Sequence, residues 1–258
     1  MSQTIVETIS ELEKMKKYPS SLYYKGDVSF LKRPKVSIVG TRRPSSYTRQ
    51  FTYALAQALA KRGVCVVSGA AMGVDTIAHE GAGVENTIAV VANGLDIRYP
   101  VVNQHLIANI EEKGLVLSQF NDGFRATGWS FVVRNEVVVA LGDILIVTEA
   151  ELNSGSMRSV EFAKKMGKQI FVLPHRLGES SGTTQLLLDN EATLIQDIET
   201  FVARFGKETD ESIVKDDFFY FCQKAPTFEE TLDAYGQRVY EAELEGIITI
   251  QNGIVRLS

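Results

Sequence analysis

Short apolar runs alternate with longer helix-like stretches through the middle of this chain, and no other feature constrains the fold as strongly. The six runs are KVSIV (35–39), VCVVS (64–68), TIAVV (87–91), LVLS (115–118), DILIV (143–147) and QIFVL (169–173). The helix-like stretches lie at about 46–62, 75–82, 102–113, 131–141 and 157–167. Several runs are apolar on both faces, which is typical of parallel strands covered by helices on either side. The alternation therefore predicts a doubly wound α/β sheet whose strand carboxyl ends form one ligand-binding edge.

Composition sets the class of protein and the number of domains. A length of 258 residues allows one large domain and a small one. The net charge of -5 gives no global basic field, so a nucleic-acid site would have to be a local patch. We expect Cys65 and Cys222 to be reduced, buried thiols of a cytoplasmic protein, because their spacing suits neither metal nor redox chemistry. The polar N-terminus predicts no signal peptide, and no apolar run approaches the ~20 residues of a membrane span.

The chain divides into three predicted parts. Residues 1–35 are expected to form a helical or loop extension, and residues 36–206 the α/β domain. Residues 207–258 contain 5 Lys or Arg and 11 Asp or Glu, a net charge of -6, whereas the rest of the chain has 22 and 21. This tail predicts helices at about 212–223, 227–233 and 236–245, then two β-runs joined at Asn252-Gly253, a strong hairpin signal. Three helices and a hairpin suggest a small winged-helix-like domain.

An unusual loop follows most of the predicted strands. Gly40 to Pro44 carries two arginines, and residues 68–75, 92–100 and 153–156 are rich in small or polar side chains. Glycine and serine leave backbone N–H groups open, and the helix N-termini that follow are ready-made anion sites. The loops therefore predict a row of phosphate-sized sockets along one sheet edge. The candidate residues are Arg42, Arg43, Ser68, Gly69, Ser154 and Gly155.

The start of the fourth helix-like stretch adds an aromatic group to this edge. Phe131, Arg134 and Asn135 fall at helical spacing and could share one face. An aromatic ring beside a guanidinium and an amide suits stacking and edge contacts to an exposed nucleobase. Structural alternatives remain open: Phe131 as a core residue, Arg134 paired with Glu136 or capping a carbonyl group, and Asp75 as a helix N-cap.

Several enzyme signatures are missing from the sequence. There is no G-x-G-x-x-G after the first strand, no G-x-x-x-x-G-K-[ST] loop, no Cys/His set suited to zinc and no G-x-S-x-G elbow. We therefore expect no enzyme activity, no metal and no cofactor.

Seven blocks, in order, resemble the DNA-processing protein A family, also called DprA or Smf. They are SIVGTRRPSSY, VVSGAAMGVDTIAHEGA, TIAVVANGLDIRYPVVNQHL, GLVLSQF, FVVRNEVVVALGD, NSGSMRSVEFAKKMGKQIFVLP and SSGTTQLL. The resemblance covers about residues 20–195 and implies an extended Rossmann-like fold and a homodimer. It also implies a protein that binds single-stranded DNA, protects incoming DNA and loads the RecA recombinase onto it during natural transformation. Carried over by position, the DNA pocket would use Arg42 or Arg43, Ser68, Gly69, Phe131, Arg134 and Asn135, with Ser154 and Gly155 nearby.

The sequence also departs from the family pattern, and two alternative functions follow. Glu136 stands where the family has a second arginine, and Arg125, Arg158, Lys164 and Lys165 are candidates for compensating charge. One alternative is a nucleotide-processing hydrolase of a related Rossmann-like fold, with Glu161 as its acidic residue. The other is a protein-binding scaffold dimer that has lost DNA affinity through Glu136.

Overall fold

Each of the six apolar runs forms a strand of one sheet. The structure, a computed structural model, describes residues 2–205, 217–222, 225–244 and 247–257. Contacts between Cα atoms divide the chain into two units, Met1–Glu208 and Thr209–Ser258. The strands of the first unit are β1 (Gln3–Thr4), β2 (Tyr23–Gly26), β3 (Lys35–Val39), β4 (Cys65–Ser68), β5 (Thr87–Val91), β6 (Leu115–Ser118), β7 (Ile144–Val147), β8 (Ile170–Val172) and β9 (Thr193–Leu194). Its α-helices are α1 (Ser46–Ala60), α2 (Val74–Ala82), α3 (Gln104–Lys113), α4 (Gly128–Leu141), α5 (Gly155–Lys165), α6 (Ser181–Leu188) and α7 (Ile198–Val202).

The strand order creates a switch point in the middle of the sheet. Across the described part of the chain the order is β1-β2-β6-β5-β4-β3-β7-β8-β9. In the part of this order that begins at β6 and ends at β9, every pair of adjacent strands is parallel. The chain proceeds outward from β3 through β4, β5 and β6, and then returns to β7 on the other side of β3. The carboxyl ends of β3 and β7 therefore flank the crevice at which doubly wound sheets bind ligands. This confirms the predicted α/β, extended Rossmann-like fold.

Both faces of the sheet are covered, which explains the uninterrupted apolar runs. Along β4, Cys65 and Val67 pack into the layer that contains α4 and α5, whereas Val66 packs against α1 on the opposite face. All three side chains are fully buried. Burial of a valine-sized side chain contributes roughly 1.5–3 kcal/mol, so a two-sided strand adds much of the driving force for the fold.

The N-terminal residues differ from the expected helical or loop extension. Strand β2 pairs antiparallel with β6, with Tyr23 opposite Ser118 and Gly26 opposite Leu115, and β1 pairs with β2. The stretch YYKG carries no apolar alternation, because β2 lies at the edge of the parallel sheet and is only partly buried. The segment before β3 is thus part of the same sheet.

The second unit contains helices and a hairpin. Its elements are α8 (Asp217–Cys222), α9 (Phe228–Tyr235), α10 (Arg238–Leu244), β10 (Ile248–Gln251) and β11 (Ile254–Leu257). Strands β10 and β11 pair antiparallel around Asn252 and Gly253, whose φ angles of 52° and 73° are those of a type I′ turn. The first part of the helix expected over about 212–223 lies outside the described residues.

Two further sequence expectations concern cysteines and membrane spans. Cys65 and Cys222 are both buried, and burial raises the pKa of the free Cys65 thiol to about 11. In the part of the chain that the structure describes, every helix is too short or too polar to cross a lipid bilayer.

Candidate functional site

A cleft of about 580 Å³ opens at the carboxyl ends of β3, β4 and β7, beside the first turns of α4. It therefore lies at the switch point of the sheet. The residues that line it are Val39, Gly40, Thr41, Arg42, Gly69, Ala71, Asp75, Gly128, Phe131, Val132, Arg134, Asn135, Val138, Ser154, Gly155, Ser156, Arg158 and Ser159. Seven of the nine residues predicted for this edge are among them, and Arg43 and Ser68 are not.

Of the two arginines after β3, Arg42 is the one that faces the cleft. Its side chain is exposed, and the guanidinium carbon lies 5.2 Å from the centre of the Phe131 ring. Arg43 is also exposed, but it does not line the cleft, and its backbone N–H donates to the Thr41 hydroxyl at 3.2 Å. The turn thus presents one exposed cation to the cleft and directs its neighbour elsewhere.

Phe131 is a half-buried ring at the mouth of the cleft and is not one of the core residues. Tyr99 lies next to it, with ring centres 6.2 Å apart and planes inclined by 45°. The guanidinium carbon of Arg134 lies 5.9 Å from the ring centre. A half-buried ring with two guanidinium groups within 6 Å suits a planar ligand that carries negative charge.

Arg134 forms the buried floor of the cleft. It is only 3% exposed, and Nη1 donates to the carbonyl oxygens of Gly69 and Val90, the latter at 2.6 Å. Its Nε–H donates to Oδ1 of Asn135 at 3.1 Å. Burial lowers the pKa of Arg134, the charge of Asp75 opposes that shift, and the guanidinium stays protonated near neutral pH. Arg134 therefore joins the ends of β4 and β5 and contributes fixed positive charge.

The alternative pairing of Arg134 with Glu136 is wrong. Oε1 of Glu136 accepts the backbone N–H of Lys16 at 3.1 Å, and Glu136 does not line the cleft. The acidic departure from the family pattern therefore faces the N-terminal segment.

Asp75 belongs to the same buried group and is not the N-cap of α2, since that position is Gly73. Its Oδ2 accepts the backbone N–H of Ala71 at 3.3 Å. Burial raises the pKa of Asp75, while the charge of Arg134 and hydrogen bonds from the loop after β4 oppose the rise. Asp75 thus holds the loop after β4 in place.

The loop after β4 requires glycine because other groups approach it closely. A Cβ at Gly69 would overlap the Arg134 guanidinium and lie 2.6 Å from Oδ2 of Asp75. The preceding Ser68 is fully buried, and its hydroxyl donates to the carbonyl oxygen of Ile38 at 2.7 Å. Ser68 therefore links β4 to β3 and does not present its side chain to a ligand.

The N-terminus of α5 forms the opposite wall of the cleft. Ser154 is the N-cap, but its side chain makes no capping hydrogen bond. The hydroxyl oxygens of Ser154 and Ser159 are buried and have no hydrogen-bond partner among the described residues. Gly155 has open space where a Cβ would stand, so the first N–H groups of the helix are accessible. Unpartnered hydroxyls beside a helix N-terminus are suited to bind an anion such as phosphate.

Among the described residues, neither His79 nor a cluster of metal-ligating side chains indicates a metal site. Burial and the charge of Arg134 lower the pKa of His79 to about 3, so this imidazole is neutral, with Nδ1 2.5 Å from the Thr87 hydroxyl. Among the described residues, no group of three or more His, Cys, Asp or Glu side chains could hold a metal ion.

Sequence reasoning did not select Tyr99. A smaller cavity adjoins the cleft, lined by Arg42, Gly69, Ala71, Met72, Ala92, Asn93, Tyr99, Pro100 and Phe131. The loop after β5 is rich in turn residues, but nothing local to it shows that Tyr99 meets Phe131 from α4. That proximity depends on the order of the strands.

The fold and the cleft together define a class of protein. It is a doubly wound α/β protein that opens a cleft with a cationic floor, an exposed aromatic ring and a helix N-terminus at its switch point. A family model described as DNA recombination-mediator protein A matches residues 7–206. The chain therefore belongs to the DNA recombination-mediator protein A family.

Curated relatives agree with this assignment. The DNA processing protein DprA of Streptococcus pneumoniae is 35% identical over 192 residues, which are 72% of this chain and 67% of the relative. Protein Smf of a Synechocystis strain is 34% identical over 196 residues, which are 73% of this chain and 49% of the relative. The chain thus spans about half of the Synechocystis relative and two thirds of the pneumococcal one.

Solved structures of the same family are also similar. DNA processing protein A of Helicobacter pylori has a TM-score of 0.77 and 42% identity, covering 79% of this chain and 95% of that one. DprA of S. pneumoniae has a TM-score of 0.73 and 33% identity, covering 80% and 75%.

Proposed function

We propose that this protein binds single-stranded DNA in the cleft at the switch point. Arg42 and the N-terminus of α5 would hold phosphates by charge-assisted hydrogen bonds, and Phe131 would stack an unpaired base. The proposed site consists of Arg42, Phe131, Asn135, Ser154 and Gly155, with Gly69 and Arg134 shaping its floor.

The observation that carries the proposal is the guanidinium of Arg42 next to the half-exposed ring of Phe131, 5.2 Å from its centre. A phosphate contact alone would not discriminate between single and double strands. An aromatic ring adjacent to that contact can stack only a base that is free of a duplex, for about 1–3 kcal/mol per base. The combination therefore favours unpaired strands.

The relatives support this function. The H. pylori structure was described for its unique single-stranded DNA binding mode. We extend this to the present chain and propose that it protects incoming DNA and loads the RecA recombinase during natural transformation. In this proposal the protein acts as a homodimer in the cytoplasm, without catalytic activity. Two sites in one dimer would bind a long strand with avidity.

The acidic second unit is proposed to be a winged-helix-like domain that contacts protein. A domain that reads duplex DNA is expected to be basic, whereas residues 207–258 have a net charge of -6. A role in self-association or in binding a partner protein is more consistent with this negative charge than binding to duplex DNA.

The alternatives receive less support from the geometry. Glu161, the acidic residue of the hydrolase alternative, pairs with Arg158 at 3.1 Å and does not line the cleft. Incubation with nucleoside monophosphates, followed by a search for released base, tests that activity directly. The scaffold alternative depends on Glu136, which also lies outside the cleft lining.

The test compares two neighbouring arginines. Binding of a fluorescent oligothymidylate is measured by anisotropy across salt concentrations, beside the matching duplex. Arg42→Ala is expected to weaken binding and to lower the slope of log K against log salt by about 0.7, the value for one lost phosphate contact on a single strand.

Arg43→Ala is the matched control, because it removes the same charge from the same turn without touching the cleft. A smaller effect on both affinity and slope is expected. Equal effects of the two variants would show only general charge attraction and would contradict the assignment. Absence of binding by the wild-type protein would favour the scaffold alternative.

A further inference from the structure

We infer that Tyr99 and Phe131 form two consecutive base subsites, with Tyr99 taking a second unpaired nucleobase of the strand bound in the cleft. The inference rests on the proposed function and adds a subsite that none of the predicted residues included.

The exposed rim of the smaller cavity carries this inference, because the cavity itself has a volume of only about 30 Å³ and a base would lie against its rim. Tyr99 is 47% exposed and Met72 is 48% exposed, so both present apolar surface to solvent at the edge of this cavity. The Tyr99 and Phe131 rings are 6.2 Å apart, centre to centre. A tyrosine ring and a thioether are the side chains that commonly pack against a planar aromatic ligand.

Arg42 connects the two cavities, because it lines both. A phosphate bound by this guanidinium would join the two nucleosides on either side of it. One base can then stack on Phe131 and the other can reach Tyr99. This shared cation identifies the ligand of the exposed Tyr99 ring as the same nucleic-acid strand.

The loop that carries Tyr99 is held firmly by buried amides. Nδ2 of Asn93 donates to the carbonyl oxygens of Gly94 and Ile97, at 2.9 and 2.6 Å. Nδ2 of Asn103 donates to the carbonyl oxygen of Ala70 and to the Thr76 hydroxyl, at 2.9 and 2.8 Å. These contacts fix the loop on both sides of Tyr99.

The side chain just before Tyr99, that of Arg98, does not line the cavity and pairs with Glu111 at 2.6 Å. Tyr99 is therefore presented by a backbone that is ordered before a ligand arrives. Such preorganisation reduces the entropy lost on binding.

The experiment separates base contacts from phosphate contacts. Affinities are measured for an oligothymidylate and for an all-abasic strand of equal length, which keeps the phosphates and lacks every base, at low salt. Tyr99→Ala is expected to weaken oligothymidylate binding about tenfold, the loss of one stacked base, and to leave the abasic strand within about twofold. Tyr99→Phe keeps the ring and is expected to bind both strands as the wild type does.

Tyr53→Ala is the matched control, because Tyr53 on α1 is 44% exposed and lies outside both cavities. Its affinity for both strands should equal that of the wild type. Unchanged oligothymidylate binding by Tyr99→Ala would overturn the inference, and so would an equal loss on both strands. In either case the wild-type protein would still bind oligothymidylate and the Arg42→Ala variant would still bind it more weakly, so the proposed function would stand.

Discussion

At the scale of single residues, the cleft depends on a buried cation that the ligand does not need to touch. Arg134 is held by the carbonyl oxygens of Gly69 and Val90 and faces Asp75, so its position is set by the ends of two strands. The exposed Arg42 is free to meet a ligand. One guanidinium thus shapes the floor, and the other supplies the contact.

Gly69→Ala tests the close approach at this floor. The added Cβ would overlap Arg134, whose guanidinium cannot withdraw without leaving its two carbonyl partners, so we expect a loss of about 1–3 kcal/mol in the free energy of unfolding. Oligothymidylate affinity should fall as well, because Phe131 and Asn135 share the helix that carries Arg134. Urea denaturation and anisotropy measure the two effects.

Gly128→Ala is the control for that variant. Gly128 also lines the cleft, at the first position of α4, and no atom lies within 4 Å of the place where its Cβ would stand. We expect unchanged or slightly higher stability, by up to about 1 kcal/mol, because alanine favours a helix. Similar losses in the free energy of unfolding for both variants would contradict this explanation. They would show that any methyl group added to the cleft is destabilising, whether or not it overlaps Arg134.

At the scale of elements, the N-terminal segment is attached to the sheet by a buried ion pair as well as by β2. Lys35 is 4% exposed, and its Nζ donates to the carbonyl oxygens of Leu31 and Arg33 and lies 2.7 Å from Oε1 of Glu11. A buried ammonium requires such partners, because it cannot be hydrated by solvent. The segment before β3 is therefore coupled to the first parallel strand.

Glu11→Gln is expected to lower the free energy of unfolding by about 1–3 kcal/mol at pH 7, since it removes the charged acceptor of Lys35. Burial raises the pKa of Glu11, but the hydrogen bonds from Lys35, the backbone and Ser10, together with the charge of Lys35, outweigh it, and the pKa lies below its ordinary value of 4.5. A carboxyl group whose pKa is lowered in the folded protein stabilises the fold when the pH is above its ordinary pKa. This stabilisation is lost as the pH falls through the lowered pKa. The difference between variant and wild type should therefore shrink below about pH 4.

Glu13→Gln, on the same turn and exposed, serves as the control for that ion pair. Thermal unfolding, followed by circular dichroism at several pH values, measures the stability of the wild type, Glu11→Gln and Glu13→Gln. A difference between Glu11→Gln and wild type that stays constant down to pH 3 would contradict the electrostatic explanation.

At the scale of the whole molecule, the residues of the cleft and the acidic C-terminal residues belong to different units. Every residue that lines the cleft or the smaller cavity lies between residues 39 and 159, within the first unit. The second unit has its own core of Phe218, Cys222, Val239, Ala242, Ile248 and Val255. Binding of a short strand should therefore depend on the first unit alone.

A chain that ends at residue 208 tests this separation. Its affinity for a short oligothymidylate is expected to stay within about twofold of the full chain, because the phosphate and base contacts are retained. Its affinity for duplex DNA should also be unchanged if the acidic unit contacts protein. A large loss for either ligand would place a DNA contact in the second unit.

The sequence by itself determined the strands, the helices between them and the kinds of residue at the strand ends. Such features are local, because a buried strand and an amphipathic helix each leave their own period in the chain. The pattern also placed Arg42, Phe131 and the N-terminus of α5 at one edge. It did not predict strand β2, because the pairing of β2 depends on backbone contacts with β6 and leaves no apolar pattern.

Only the tertiary structure decided which of these side chains meet. It turned Arg42 to the cleft and Arg43 away, buried Ser68 between strands, directed Glu136 to the N-terminal segment and brought Tyr99 next to Phe131. The physical reason is that side-chain direction and proximity depend on strand order and on packing between residues far apart in the chain. The residues adjacent in sequence do not determine those contacts.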